Sequence, residues 1–235
     1  MTATAIVRRL KSLGNREKAK AYSRFFKCGK GEYGEGDRFL GVTVPEQRAI
    51  AKANRDLPFP EIGKLLGSPH HEARLTGLLV LTYAFEKADW EKQKSIFDFY
   101  LAHLPAVNNW DLVDVTAPPI VGRHLLEKKS ARKILYRFAK SKNLWKRRIA
   151  VVSTFAFIRR GDFADTLAIV EMLLEDPHDL IHKATGWMLR EVGKRDESVL
   201  KKFLDMHAAA MPRTMLRYAI ERFDSEERVA YLNCN

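Results

Sequence analysis

The chain has 235 residues, 46% of them hydrophobic, enough to bury a substantial core as one domain or one repeat array. Lys and Arg total 41 against 29 Asp and Glu, a net charge of +12 that points to a polyanionic partner, nucleic acid before an anionic membrane surface. The plain alternative is a solvated basic surface with no partner behind it. The cations are distributed over helices rather than gathered in a tail, which favours a folded electrostatic footprint. The sequence has only two cysteines, Cys28 and Cys234, near opposite ends, so no disulfide framework or CxxC metal pair is predicted and a reducing cytosol is the expected home. The opening TATAIVRRLKSLG lacks the apolar core of a signal peptide, and no apolar run of about 18 residues is present to span a membrane.

In chain order the pattern reads as helix after helix. TAIVRRLKSLG opens and Gly14 stops it; NREKAKAYSRFFK follows, with Asn15 as N-cap and Tyr22, Phe25 and Phe26 on its apolar side. CGKGEYGEGDR, residues 28 to 38, is glycine-rich but lacks GxxxxGK(S/T), follows a helix and carries three acids, so a flexible connector is expected rather than a phosphate cradle. Thr43 and Glu46 predict a capping box with Pro45 in the first turn. Ser68 and Pro69 predict a second clean start, as cap and first helical residue. The neighbouring His70 and His71 are adjacent rather than four apart, so they do not face one metal; a helix-start or surface role is expected.

A repeat lies under the helices. Ala73, Trp110, Arg147 and Ala184 recur at intervals of 37 residues, each near the start of a comparable helix. Helix pairs at roughly 35 to 45 residues predict an all-α fold, a HEAT-like α-solenoid of stacked antiparallel pairs with a concave DNA-binding groove. No linker is visible, so residues 1–235 are expected to form a single HEAT-like repeat domain.

The chemistry-bearing stretch is NNWDLVDVTAPPIVGRHL, residues 108 to 125. Trp110 and Asp114 are four apart and so share a helix face. Either could be ordinary: a tryptophan in an apolar helix is usually packing, and a charge run such as Lys146, Arg147 and Arg148 is usually solvated. Asp114 is less ordinary, because an acid among Leu112, Val113 and Val115 is seldom buried without a partner.

FLGVTVPEQR, NNWDLVD, NLWKRRIAVV and IHKATGWMLRE together resemble the AlkD-like DNA alkylation repair family of HEAT-like DNA glycosylases, over Phe39 to Arg222. The resemblance implies that Asp114 is the catalytic carboxylate and that Trp110 and Trp187 flank the sugar of the damaged nucleotide. It also implies that Arg148 contacts the DNA backbone, and Arg147, Lys183 and Arg190 join it as candidate DNA-binding residues. Two departures stand out: Asn109, where the family often has a bulky residue, and the glycine-rich loop in place of a short link. The function so implied is a monofunctional glycosylase that removes cationic alkylpurines from double-stranded DNA. It would work as a monomer without cofactor, metal or membrane, in the cytoplasm with the nucleoid. A non-catalytic solenoid for branched or distorted DNA, and a protein-interaction scaffold, are the alternatives.

Overall fold

A computed structural model describes residues 1–233, so Cys234 lies outside the described residues. The fold is all-α, with no strand among those residues; the extended backbone meets only in one isolated bridge between Arg38 and His70. In order the helices are α1 (Ala3–Leu13), α2 (Arg16–Phe25), α3 (Val44–Ala53), α4 (Phe59–Leu66), α5 (His71–Lys87), α6 (Trp90–Ala102) and α7 (Trp110–Thr116). After a π-helical segment, Ala117–Gly122, come α8 (Arg123–Leu125), α9 (Lys133–Ala139), α10 (Leu144–Ser153), α11 (Phe155–Ile158) and α12 (Ala164–Met172). The chain ends with α13 (Asp179–Gly193), α14 (Glu197–His207), α15 (Arg213–Ala219) and α16 (Ser225–Asn233). None is long and apolar enough to cross a membrane.

The chain gathers into two compact units, Met1–Ile120 and the residues from Val121 onward. The first is built around α5, buried along nearly its whole N-terminal length from His71 to Leu81. Such a helix has no polar face to give to water and must be wrapped. It packs against α1, α3, α4, α6 and α7. Ile6, Leu10, Leu65, Leu78, Ile96, Tyr100 and Leu112 fill the core between them. In the second unit α13 holds the matching place, packed by α10, α11, α12, α14 and α15. The 37-residue period lands on this arrangement: Ala73 and Trp110 sit early in the packed pair α5 and α7, and Arg147 and Ala184 early in the packed pair α10 and α13.

The caps follow the side-chain chemistry. Asn15 Oδ1 accepts from Lys18 N at 3.0 Å, and the Thr43–Glu46 box is closed, with Glu46 Oε2 taking Thr43 N at 2.8 Å. The expected start at Ser68 and Pro69 is displaced. Pro69 instead gives its carbonyl to Arg38 N in the isolated bridge, so the backbone stays extended and α5 begins at His71 behind an N-cap at His70. In the second unit the end of α8 is closed by Arg132, which donates to the Leu125 and Leu126 carbonyls and to Asp162 and Asp165.

Candidate active site

Helix α7 is short, and its first residue is set by Asn109. That side chain, fully buried, accepts from Trp110 N at 2.8 Å and so fixes where the helix begins. Leu112, Val113 and Thr116 turn inward. Trp110 and Asp114, one turn apart, stay half-buried, which leaves an indole and a carboxylate partly open to solvent side by side. Beneath them Tyr100 is fully buried and shares a hydrogen bond of 3.0 Å with Thr116 Oγ1. Burial drives the Tyr100 hydroxyl upward from its ordinary value, and the nearby charge of Asp114 adds to the rise. Tyr100 is therefore a neutral phenol under the carboxylate.

Trp110 ends an aromatic column. Its ring stacks on Phe26 with centroids 5.2 Å apart, and the edge of Phe25 meets it at 5.8 Å. Phe26 stacks on Phe39 at 5.0 Å, and Phe39 on the His71 imidazole at 4.6 Å. His71 was expected at a helix start or on the surface; it is at the start of α5 but buried, 1% exposed. The reason is a pair of carboxylates. Nδ1 lies 2.9 Å from Asp37 Oδ2 and Nε2 lies 2.8 Å from Asp111 Oδ2. Burial alone would lower its pKa, but the hydrogen bonds and charges of Asp111 and Asp37 win and lift it to about 9. At neutral pH His71 is thus an imidazolium donating from both nitrogens, with no lone pair left to bind a metal.

The glycine-rich loop supplies one arm of this clamp, which corrects its reading as a flexible connector. Its acids close its own turns, Glu32 accepting from Gly29 N at 2.7 Å and Glu35 from Gly31 N at 2.8 Å. The third, Asp37, also accepts from Arg74 Nη2 at 2.6 Å and Asn108 Nδ2 at 3.2 Å. Burial raises the Asp37 pKa, but His71, Arg74 and Asn108 outweigh it and hold the carboxyl below its ordinary value. Glu72 fixes the following turn by accepting from the backbone of Leu40, Gly41 and Val42. The Cys28 thiol, pushed up to about 11 by burial and by Asp37 and Glu32, is not a nucleophile at neutral pH. His71, Asp111 and Phe26 were each visible in the sequence, but the contacts that join His71 to Asp37 and Asp111, and Phe26 to Phe39, were not, because each joins residues far apart in the chain.

In the second unit, Asn143 caps α10 by accepting from Trp145 N and Lys146 N at 2.9 and 3.0 Å. Arg147 is held by Asp176, Nε to Oδ2 at 2.5 Å, and donates to the Ser141 and Lys142 carbonyls. Arg148 is buried, with Nη1 on the Leu180 carbonyl at 2.5 Å. Lys183 is half-exposed and pairs with Asp179 at 2.7 Å, and Arg190 pairs with Glu221. All four candidate DNA-binding cations therefore have partners inside the protein. Trp187 is half-buried and tilts on Phe155 at 5.8 Å, with the Arg159 guanidinium 4.4 Å over that same Phe155 ring. Its position depends on Gly186: a Cβ there would lie 2.4 Å from the Met215 carbonyl oxygen, so only glycine lets α13 approach α15 this closely.

The fold is all-α, and comparison shows the family. The family described as DNA alkylation repair enzyme matches residues 6–223, and the chain belongs to it. Among solved structures, it is similar to a "Predicted DNA alkylation repair enzyme" from Enterococcus faecalis, with a TM-score of 0.70 and 16% identity over 90% of this chain and 97% of that one. It is also similar to AlkD2 from Streptococcus mutans, with a TM-score of 0.55 and 18% identity over 95% of this chain and 100% of that one. No curated protein sequence matches it.

Proposed function

We propose that the chain is a monofunctional DNA glycosylase that removes cationic alkylpurines, of the N3-methyladenine and N7-methylguanine type, from duplex DNA. The observation that carries this reading is the pair on α7: Asp114 half-buried beside Trp110, whose ring is fixed by Phe26 and Phe25. Alkylation at N3 or N7 leaves the base positive, so when its bond to C1′ breaks, the bonding electrons neutralise it. No general acid is required. The sugar becomes an oxocarbenium-like cation, which the Asp114 carboxylate stabilises while it orients a water toward C1′. Water adds to C1′ and its proton passes to the carboxylate or to solvent. The Trp110 face beside this cation adds cation–π attraction and excludes bulk water.

From the second unit we assign Trp187 to the damaged nucleotide's sugar and Arg148, Lys183 and Arg190 to the DNA backbone. Lys183 and Arg190 would exchange their carboxylate partners for phosphates. Arg147, tied to Asp176 at the start of α10, is assigned to the DNA backbone with them. On this reading residues 1–235 serve as one HEAT-like domain, active as a monomer on the nucleoid in the cytoplasm.

A single carboxylate predicts selectivity for charged lesions. Duplexes holding N7-methylguanine and O6-methylguanine, the second neutral, should be compared in single-turnover assays. Release of the first and none of the second is expected. Release of both at similar rates would require a general acid and contradict the scheme. Binding of both with release of neither would favour the non-catalytic reading.

A further inference from the structure

The positive excess is uneven: residues 1–31 hold nine Lys and Arg and one acid, Glu17. Within that stretch α2 buries no residue fully. Arg16, Lys20 and Arg24 stand at i, i+4 and i+8, all exposed, and none makes an ion pair among the described residues. Their neighbours differ. Lys18 and Arg9 face the Glu46 carboxylate, and Lys27 lies 3.9 Å from Glu32. Like charges four apart on a helix repel. A helix that keeps three of them in line, with Glu17 as its one acid, gains from something negative lying along it.

We infer that the Arg16–Lys20–Arg24 stripe of α2 is a phosphate-contacting surface that tracks one DNA strand toward Trp110. Adjacent charges on the stripe are roughly 6 Å apart along the axis, giving a run of about 12 Å. Its end is marked: Phe25, the residue after Arg24, is 64% exposed and meets the Trp110 ring edge-on at 5.8 Å. The geometry fits DNA better than a membrane. Most of the apolar side of α2 is already taken, with Phe26 stacked on Phe39 at 5.0 Å and Tyr22 edge-on to Phe39 at 6.0 Å, and Phe25 alone is not an apolar face that could enter lipid. The contrast with Arg147, Arg148, Lys183 and Arg190, all internally partnered, makes α2 the more available cationic surface.

This inference rests on the DNA reading above but is tested separately. Binding to undamaged and N7-methylguanine duplexes is measured for wild type and the triple variant R16Q/K20Q/R24Q, from about 50 to about 200 mM salt. Each lost phosphate contact should lower the slope of log K against log salt by about 0.9, so the triple is expected to lose roughly 2 to 3, equally on both duplexes. A control, K52Q/R55Q/K87Q, removes the same charge elsewhere on the first unit and should change the slope much less. The stripe variant should melt no lower than wild type, because repulsion has been relieved. An unchanged slope, or an equal fall in the control, overturns the inference. So does a loss of binding to phosphatidylserine vesicles with DNA binding intact. A wild type that binds DNA through the stripe but releases no base would sink the glycosylase reading and leave the stripe standing; base release with an unaltered slope would do the reverse.

Discussion

At the scale of single residues, His71 is the group whose removal should reach furthest. It stacks under Phe39, contacts Phe26 at 5.1 Å, and ties the loop carboxylate Asp37 to Asp111 in the first turn of α7. The helix that presents Trp110 and Asp114 therefore starts from a buried cation. Because its pKa is raised from 6.5 to about 9 in the folded state, its contribution is full below about pH 6.5 and declines until pH passes about 9. Thermal unfolding followed from pH 6 to pH 10 should show wild type losing stability across that window, by an amount on the order of a few kcal/mol. His71→Gln should start lower, with a flatter profile. Equal profiles for the two proteins would mean that the imidazole is neutral and that Asp37 and Asp111 are not held by its charge. The clamp was not legible in the sequence. HHEAR reads as a helix start and GEGDR as a turn, and only the fold brings Asp37 to His71 across 34 residues.

At the scale of elements, what could be read locally was read correctly, and what failed depended on tertiary contact. The Asn15 cap and the Thr43–Glu46 box involve side chains and backbone three residues apart, so the sequence contains both partners. The start of α5 does not, since the bridge from Arg38 decides it. The WDLVD pattern located α7, but not the buried Asn109 that caps it or the aromatic column that steadies Trp110. Gly186 makes the same point in the second unit. Nothing in ATGWM tells that glycine is required, yet a Cβ would also lie 2.5 Å from Tyr218 Cβ, so α13 and α15 would have to separate. Gly186→Ala should cost about 1–3 kcal/mol, the usual penalty for overpacking. Chemical denaturation would show it as a lower midpoint at unchanged slope. An unaffected midpoint would mean that the two helices part without cost.

At the scale of the molecule, composition and the repeat were informative because both are averages over many residues. The charge of +12 pointed to a polyanion, and the 37-residue period pointed to stacked helices, which are found within each unit as α5 on α7 and α10 on α13. Neither said which cations are available: Arg147 and Arg148 of α10 have partners inside the protein, whereas Arg16, Lys20 and Arg24 of α2 are exposed. The central claim is that Asp114 stabilises the sugar cation rather than the fold or the DNA contact. Asp114→Asn keeps the size and polarity of the side chain and removes its charge. The most direct measurement is single-turnover release of N7-methylguanine from a duplex oligonucleotide by wild type and Asp114→Asn, with duplex affinity recorded for both. Release by the wild type is expected, with a fall of at least about a hundredfold in the variant, the scale seen when one transition-state electrostatic contact is lost, and unchanged affinity. Release by the variant at the wild-type rate would contradict the claim.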